Sequence, residues 1–307
     1  MKPLRIVFMG SPDFAVPSLE KLHSSDHNIV SVISGKDKRR RRRGSPEPTA
    51  VKKRAVELGL PTFDADNMKD SELSNYLSGL NADLFVVVAF KILPPMLLEV
   101  PALGSVNLHA SLLPKYRGAA PIHWAIIKGE KETGCTVFFL DKDVDTGKII
   151  HQRSTPIGPD ETTGELYERL KYLGADLLTE SVDSIASANY TVTVQEDAQS
   201  TPAPKLFKEN TRIDFTLSAQ AVHDFVRGLN PFPLAWCMFD EDKMNVYKTA
   251  AGPNMDLRPG ELTENETGLF AGTFDGSVQL LELQLPGRKR MTGREFANGY
   301  DLSEDLK

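Results

Sequence analysis

Along the first half of the chain, short runs of apolar residues alternate with longer segments whose apolar positions recur at helical spacing. Ile6-Val7-Phe8-Met9, Ile29-Val30-Ser31-Val32-Ile33, Leu84 to Ala89 and Cys135 to Leu140 are apolar at nearly consecutive positions, the pattern of strands covered on both faces of a parallel sheet. The intervals predict helices: Asp13 to His23 opens on an acidic residue, Thr49 to Leu58 has a Thr cap and stops at Gly59, and Ser71 to Leu80 carries Glu72 in its first turn. From Leu4 to about Ile150 this predicts a doubly wound α/β domain, a fold whose ligands lie beyond the carboxyl ends of the strands. Leu166, Leu170, Leu173, Leu177, Val182 and Ile185 then space out a long helix between Glu161 and Ser187, with Gly164 and Gly174 breaking its pattern.

After Thr191 the pattern changes. The chain is polar to Pro204 and reads as a linker, and a shorter helix follows from Ser218 to Leu229, ending before Asn230-Pro231-Phe232-Pro233. Short strands at Leu234 to Phe239, Met244 to Thr249, Gly268 to Phe274 and Ser277 to Gln284 then fit a small β-barrel of the oligonucleotide-binding type.

Composition adds bounds. At 307 residues the chain is long enough for two domains, its 40% hydrophobic and 25% charged content is ordinary, and no run reaches the roughly 18 apolar residues of a membrane span. Met1-Lys2-Pro3-Leu4-Arg5 leads straight into a strand with no signal-peptide pattern, so a cytoplasmic location is expected. The two cysteines, Cys135 and Cys237, lie in apolar surroundings and read as reduced core residues, with no metal site implied. The net charge of −6 conceals an asymmetry: Lys36 to Arg54 holds ten Lys/Arg against Asp37 and Glu47, a local +8 that leaves −14 for the rest. Such an island points to a polyanionic partner.

Candidate chemistry concentrates in Ser105 to Pro114. In an extended chain, Asn107 and His109 point to the same side while Val106 and Leu108 pack into the sheet. An Asn amide and an imidazole suit the stabilisation of charge on a carbonyl oxygen, and Asp145, after the Cys135 to Leu140 run, is placed to orient the imidazole and help move a proton. Singly, each has a plainer reading as turn, cap or structural residue, the reading given to His23, His27, His151 and His223. Gly10-Ser11-Pro12-Asp13-Phe14 stands where a dinucleotide fingerprint would begin but lacks its later glycines, so a nicotinamide or flavin cofactor is not expected.

These residues resemble the 10-formyltetrahydrofolate-dependent formyltransferases, and within them the methionyl-tRNA formyltransferase family. The resemblance runs through Gly10 to Pro17, Asn107 to Pro121 with Arg117-Gly118-Ala119-Ala120-Pro121, Asp143 to Gly147, Ala203-Pro204-Lys205 through Ile213-Asp214-Phe215, and Asn230 to Trp236. It implies a Rossmann-like catalytic domain with a mostly parallel sheet over 1–190, a linker over 191–208 and an OB-like tRNA-binding barrel over 209–307. It implies that Asn107, His109 and Asp145 are catalytic, that Ser111, Leu112, Leu113 and Pro114 contact the folate, and that the pterin lies beside Phe90, Ile92 and Leu93. The basic loop 36–54, with Lys38, Arg39, Arg40, Arg41, Arg42 and Arg43, occupies the place of an insertion that wedges at the acceptor stem of initiator methionyl-tRNA. A monomer with 10-formyltetrahydrofolate as formyl donor and no metal is expected. Two features depart from the pattern: the plain run of arginines, and a barrel half with 12 Lys/Arg against 16 Asp/Glu from Lys205 to Lys307. A formyltransferase acting on a small amine, which has no need of the arginine loop, and a non-catalytic RNA-binding protein stand as rival readings.

Overall fold

A computed structural model describes residues 2–37 and 45–307. Strands β1 (Arg5–Gly10), β2 (Asn28–Ser34), β3 (Thr62–Asp64), β4 (Leu84–Val88), β5 (Ser105–His109), β6 (Glu132–Phe139) and β7 (Ile149–Pro156) form one sheet in the order β3-β2-β1-β4-β5-β6-β7. The pairs from β3 through to β5 are parallel, and β6 runs antiparallel to β5. The order reverses beside β1, where a doubly wound sheet opens a crevice at its carboxyl edge. This is the α/β fold expected from the runs of consecutive apolar residues.

Helices α1 (Val16–His23), α2 (Ala50–Glu57) and α3 (Ser71–Gly79) occupy the predicted intervals. Thr49 caps α2 by accepting the Lys52 N–H, and Asp70 caps α3 by accepting the Glu72 N–H. A short α4 (Pro95–Leu98) precedes β5, and the long α6 (Thr163–Ala186) runs unbroken through both glycines. Gly174 is there because a Cβ would press on Leu108 Cδ2 at 2.9 Å and on Cys135 Sγ at 3.2 Å, so its absence lets the helix lie directly on β5 and β6. One core cluster joins Val7, Met9, Ile33, Phe85 and Val87 to Leu73 and Leu77 of α3. Each such fully buried side chain contributes about 1.5–3 kcal/mol.

The chain divides into two compact units. The first comprises residues 1–118, 134–155 and 167–202; the second comprises 119–133, 156–166 and 203–307. Residues 191–202, linker-like in composition, thus belong to the first unit, with Thr193 bridging Ile149 in antiparallel fashion. In the second unit, β8 (Ala235–Phe239), β9 (Asp242–Ala251), β10 (Leu262–Asn265), β11 (Gly268–Gly272), β12 (Ser277–Gln284) and β13 (Met291–Thr292) form a barrel-like antiparallel sheet, ordered β8-β9-β12-β11-β10 with β13 on β12. Helices α7 (Ala219–Gly228) and α8 (Gly293–Gly299) cover its core, where Val222, Val226 and Phe296 meet Val246, Leu269 and Leu283. Helix α5 (Pro121–Ile127) belongs to this unit and packs on α7. Among the described residues, no helix is long and apolar enough to cross a membrane.

Candidate active site

Register fixes Asn107 between Val87 of β4 and Phe138 of β6, and His109 is the last residue of β5. Asn107 opens onto a cleft of about 510 Å³, counting the solvent at its mouth. Its apolar wall is Phe90, Ile92, Leu93, Leu98 and Leu140, and its polar wall is Asn107 with the loop Asp141 to Asp145. The mostly apolar lining with a few convergent polar groups is that of a small-molecule site. The structure therefore brings together Asn107, Asp145, Phe90, Ile92 and Leu93 from three separate stretches of chain.

His109 lies behind this wall, 6% exposed. Its Nε2 is 2.8 Å from the Tyr116 carbonyl oxygen, and its Nδ1 is 3.6 Å from Asp145 Oδ2, within ion-pair reach but longer than a hydrogen bond. The Gly118 N–H donates to the same Oδ2 at 2.9 Å. A carbonyl can only accept, so Nε2 carries the proton and Nδ1 is turned to the carboxylate. Of its two nitrogens, Nε2 is taken by the Tyr116 backbone, so only Nδ1, which faces Asp145, is left to meet a substrate.

Three non-glycine residues around this pair have left-handed backbone: Ala89 (φ 47°) just after β4, Tyr116 (φ 61°) and Asp145 (φ 56°). Such conformations cost of order 1–3 kcal/mol each and persist where the surroundings over-determine them. Gly147 shows how tightly the Asp145 loop is seated, since a Cβ there would overlap the Phe139 carbonyl oxygen.

Ser111 to Pro114 are not part of the cleft wall. Ser111 and Leu113 are buried, and Thr136 braces the segment by donating to the Ser111 carbonyl at 2.6 Å and accepting the Leu113 N–H at 3.1 Å. Gln152 adds a donation to the Leu113 carbonyl at 2.8 Å. Lys38 and Arg39 to Arg43 lie outside the described residues. Within the described part of the basic island, Lys52 Nζ donates to Asp37 (2.6 Å) and Asp64 (2.8 Å), and Arg54 pairs with Glu20 (2.7 Å) and Glu57 (2.9 Å). Four carboxylates thus already answer two of its cations.

Sequence reasoning passed over Asp141 and Asp143 on the cleft loop, although their i, i+2 spacing with Asp145 was a signal that all three stand on one loop. It also passed over Gln195, buried, whose Nε2 donates to the carbonyls of Asp145 (2.9 Å) and Gly147 (2.8 Å). No composition signal marks a glutamine inside a polar stretch. Among the described residues, no group of three or more His, Cys, Asp or Glu is arranged to hold a metal ion.

Residues 4–182 match the family model described as formyl transferase, and residues 205–301 match that of the formyl transferase C-terminal domain. Solved structures agree in fold: the N-formyltransferase from Helicobacter canadensis in complex with folinic acid and dTDP-3-aminofucose superposes with a TM-score of 0.68 at 22% identity, over 90% of this chain and 98% of that one. The sugar 3N-formyl transferase WlaRD, solved with dTDP and 5-N-formyl-THF, gives 0.66 at 19% identity, over 94% and 100%. Fold and family models together define a formyl transferase. The methionyl-tRNA formyltransferase of Chlorobium limicola is 44% identical, over 97% of this chain and 96% of its own length, and that of Flavobacterium psychrophilum is 42% identical, over 99% and 98%. At that identity over nearly its whole length, the chain belongs to the methionyl-tRNA formyltransferase family.

Proposed function

We propose that this chain transfers the formyl group of 10-formyltetrahydrofolate to the free amino group of methionyl initiator tRNA, supplying formylmethionyl-tRNA for the start of translation in the cytoplasm. The observation that carries the reading is the convergence of Asn107 and Asp145 on one cleft with His109 fixed behind them, in a chain 44% identical to a methionyl-tRNA formyltransferase. The unprotonated amine attacks the formyl carbon, a new C–N bond forms, and the bond to the folate nitrogen breaks as the amine's proton passes to that nitrogen. Negative charge develops on the formyl oxygen, where the Asn107 amide donates. Asp145, backed by the His109 ring, receives the amine proton and passes it on. The apolar wall of Phe90, Ile92 and Leu93 suits the flat faces of a pterin.

In this reading the first compact unit, residues 191–202 included, carries the chemistry, and the second holds tRNA together with the basic loop 36–54. The test is formyl transfer from 10-formyltetrahydrofolate, with charged initiator tRNA, charged elongator tRNA and small amines as acceptors. Transfer confined to the methionyl initiator is expected. Preferential transfer to a small amine such as an amino sugar nucleotide overturns the assignment of substrate.

A further inference from the structure

The separation of His109 and Asp145 is not fixed by a bond between them. At 3.6 Å the two side chains are beyond hydrogen-bond length, so their spacing is set by the backbones that carry them. The Asp145 backbone, and the Tyr116 backbone that meets the His109 ring, are both held by one short stretch of chain. Thr201 accepts the Tyr116 N–H on its Oγ1 and the Arg117 N–H on its carbonyl, each at 2.9 Å, and the carbonyl of Tyr116 is the acceptor for His109 Nε2. Six residues earlier, Gln195 donates to the carbonyl of Asp145 itself.

We infer that Gln195 and Thr201 are positioning residues, and that residues 193–201 form a strap that sets the distance and orientation between His109 and Asp145. The inference rests on the catalytic reading of that pair. A glutamine meets the requirement at 195 because it can donate two N–H bonds and accept two more on one side chain, and all four are used. Its Nε2 serves Asp145 and Gly147, and its Oε1 accepts from Arg117 Nε (3.1 Å) and Nη2 (2.8 Å). A glutamate would keep the arginine but turn a carboxylate toward two carbonyl oxygens. The strap is itself anchored: Thr193 and Ile149 exchange N–H···O bonds of 2.8 and 2.9 Å, and Arg117 Nη1 donates to Asp197 at 2.9 Å. It also bonds directly to the backbone of two of the three left-handed non-glycine residues at the site, Tyr116 and Asp145, which is where outside support is needed to hold a strained conformation.

Gln195→Ala, Gln195→Glu and Thr201→Val in the full chain test this. A displacement on the scale of an ångström at the reacting groups costs about 10²-fold, so both Gln195 variants are expected to lower kcat by roughly 10- to 100-fold, with the KM for methionyl-tRNA within about twofold of the parent. Thr201→Val, which removes one of two bonds, falls between. The ¹⁵N resonances of the His109 ring, assigned by their loss in His109→Asn, are expected to shift in all three. Melting curves identify any variant that fails to fold, and Thr201→Val and Gln195→Glu decide if Gln195→Ala is such a variant. Unchanged kcat with unchanged ring resonances overturns the strap, as does a loss confined to KM. A parent protein that transfers no formyl group to any acceptor overturns the functional reading, and the ring resonances then still decide whether the strap holds the imidazole.

Discussion

Two buried histidines face an aspartate from opposite ends of the same sheet. At the amino edge, His27 Nδ1 accepts the Leu4 N–H at 3.1 Å and Nε2 stands 3.0 Å from Asp183 Oδ1. One donor and one acceptor meet a ring that offers one of each, and a neutral imidazole satisfies both. At the carboxyl edge, His109 faces two acceptors, the Tyr116 carbonyl and the Asp145 carboxylate, and a neutral ring has an N–H for only one of them. The comparison teaches that two His–Asp pairs with similarly buried rings differ in the balance of donors and acceptors around the ring, and that the unbalanced one is the pair whose aspartate lines the cleft.

The largest effect that bears on this contrast is on turnover. Asn107→Ala and His109→Ala are each expected to lower kcat by about 10²–10³. His27→Ala is expected to leave kcat within about twofold and to cost roughly 1–3 kcal/mol of stability through the unsatisfied Leu4 N–H. Initial rates and urea unfolding measure both, and equal loss of turnover at the two edges would abolish the distinction.

The same question of balance applies to charge. Replacing Arg39 to Arg43 by glutamine is expected to weaken tRNA binding, with the slope of log affinity against log salt falling by about 0.7–0.9 for each phosphate no longer neutralised. Lys52→Gln, whose ammonium is shared between Asp37 and Asp64, is expected to change affinity less than about twofold. Binding isotherms at several salt concentrations separate the two. Smaller again is the cap: Thr49→Ala is expected to cost about 1 kcal/mol by thermal melting without changing turnover.

The least effect at neutral pH concerns the thiols, one in each core. Burial pushes both Cys135 and Cys237 up to about 12 from an ordinary 9.0. Both groups bind protons more tightly folded than unfolded, so their contribution is fully present below pH 9 and is lost as pH climbs from 9 toward 12. Native protein at pH 8 is expected to react with a thiol reagent only on unfolding, and fast labelling of one cysteine would show that its unit opens first.

What the sequence disclosed follows from how far each signal reaches. Consecutive apolar residues announced β1, β2, β4 and β6, and Thr49 announced α2, because both signals are local. Strand β3 has three residues, all half-buried, and α5 is a seven-residue helix within an apolar run that also fits a strand. Neither is long enough for its period to show. At the site, Asn107 and Asp145 were legible as side chains with chemistry, but the partner that captures His109 Nε2 is a backbone carbonyl, and every residue has one. The local +8 likewise overstated the charge on offer, since Lys52 and Arg54 meet carboxylates at positions 64 and 20 that no local window joins to them.

The path of the chain between the two compact units has a practical corollary. It passes from one to the other at residues 118/119, 133/134, 155/156, 166/167 and 202/203, so no single cut yields both halves intact. A fragment ending near residue 190 would strip α7 from α5 and leave that helix with an apolar face in water, while the complementary piece would lack the turns that finish its own interior. Dissecting this enzyme into parts calls for point changes, not scissors.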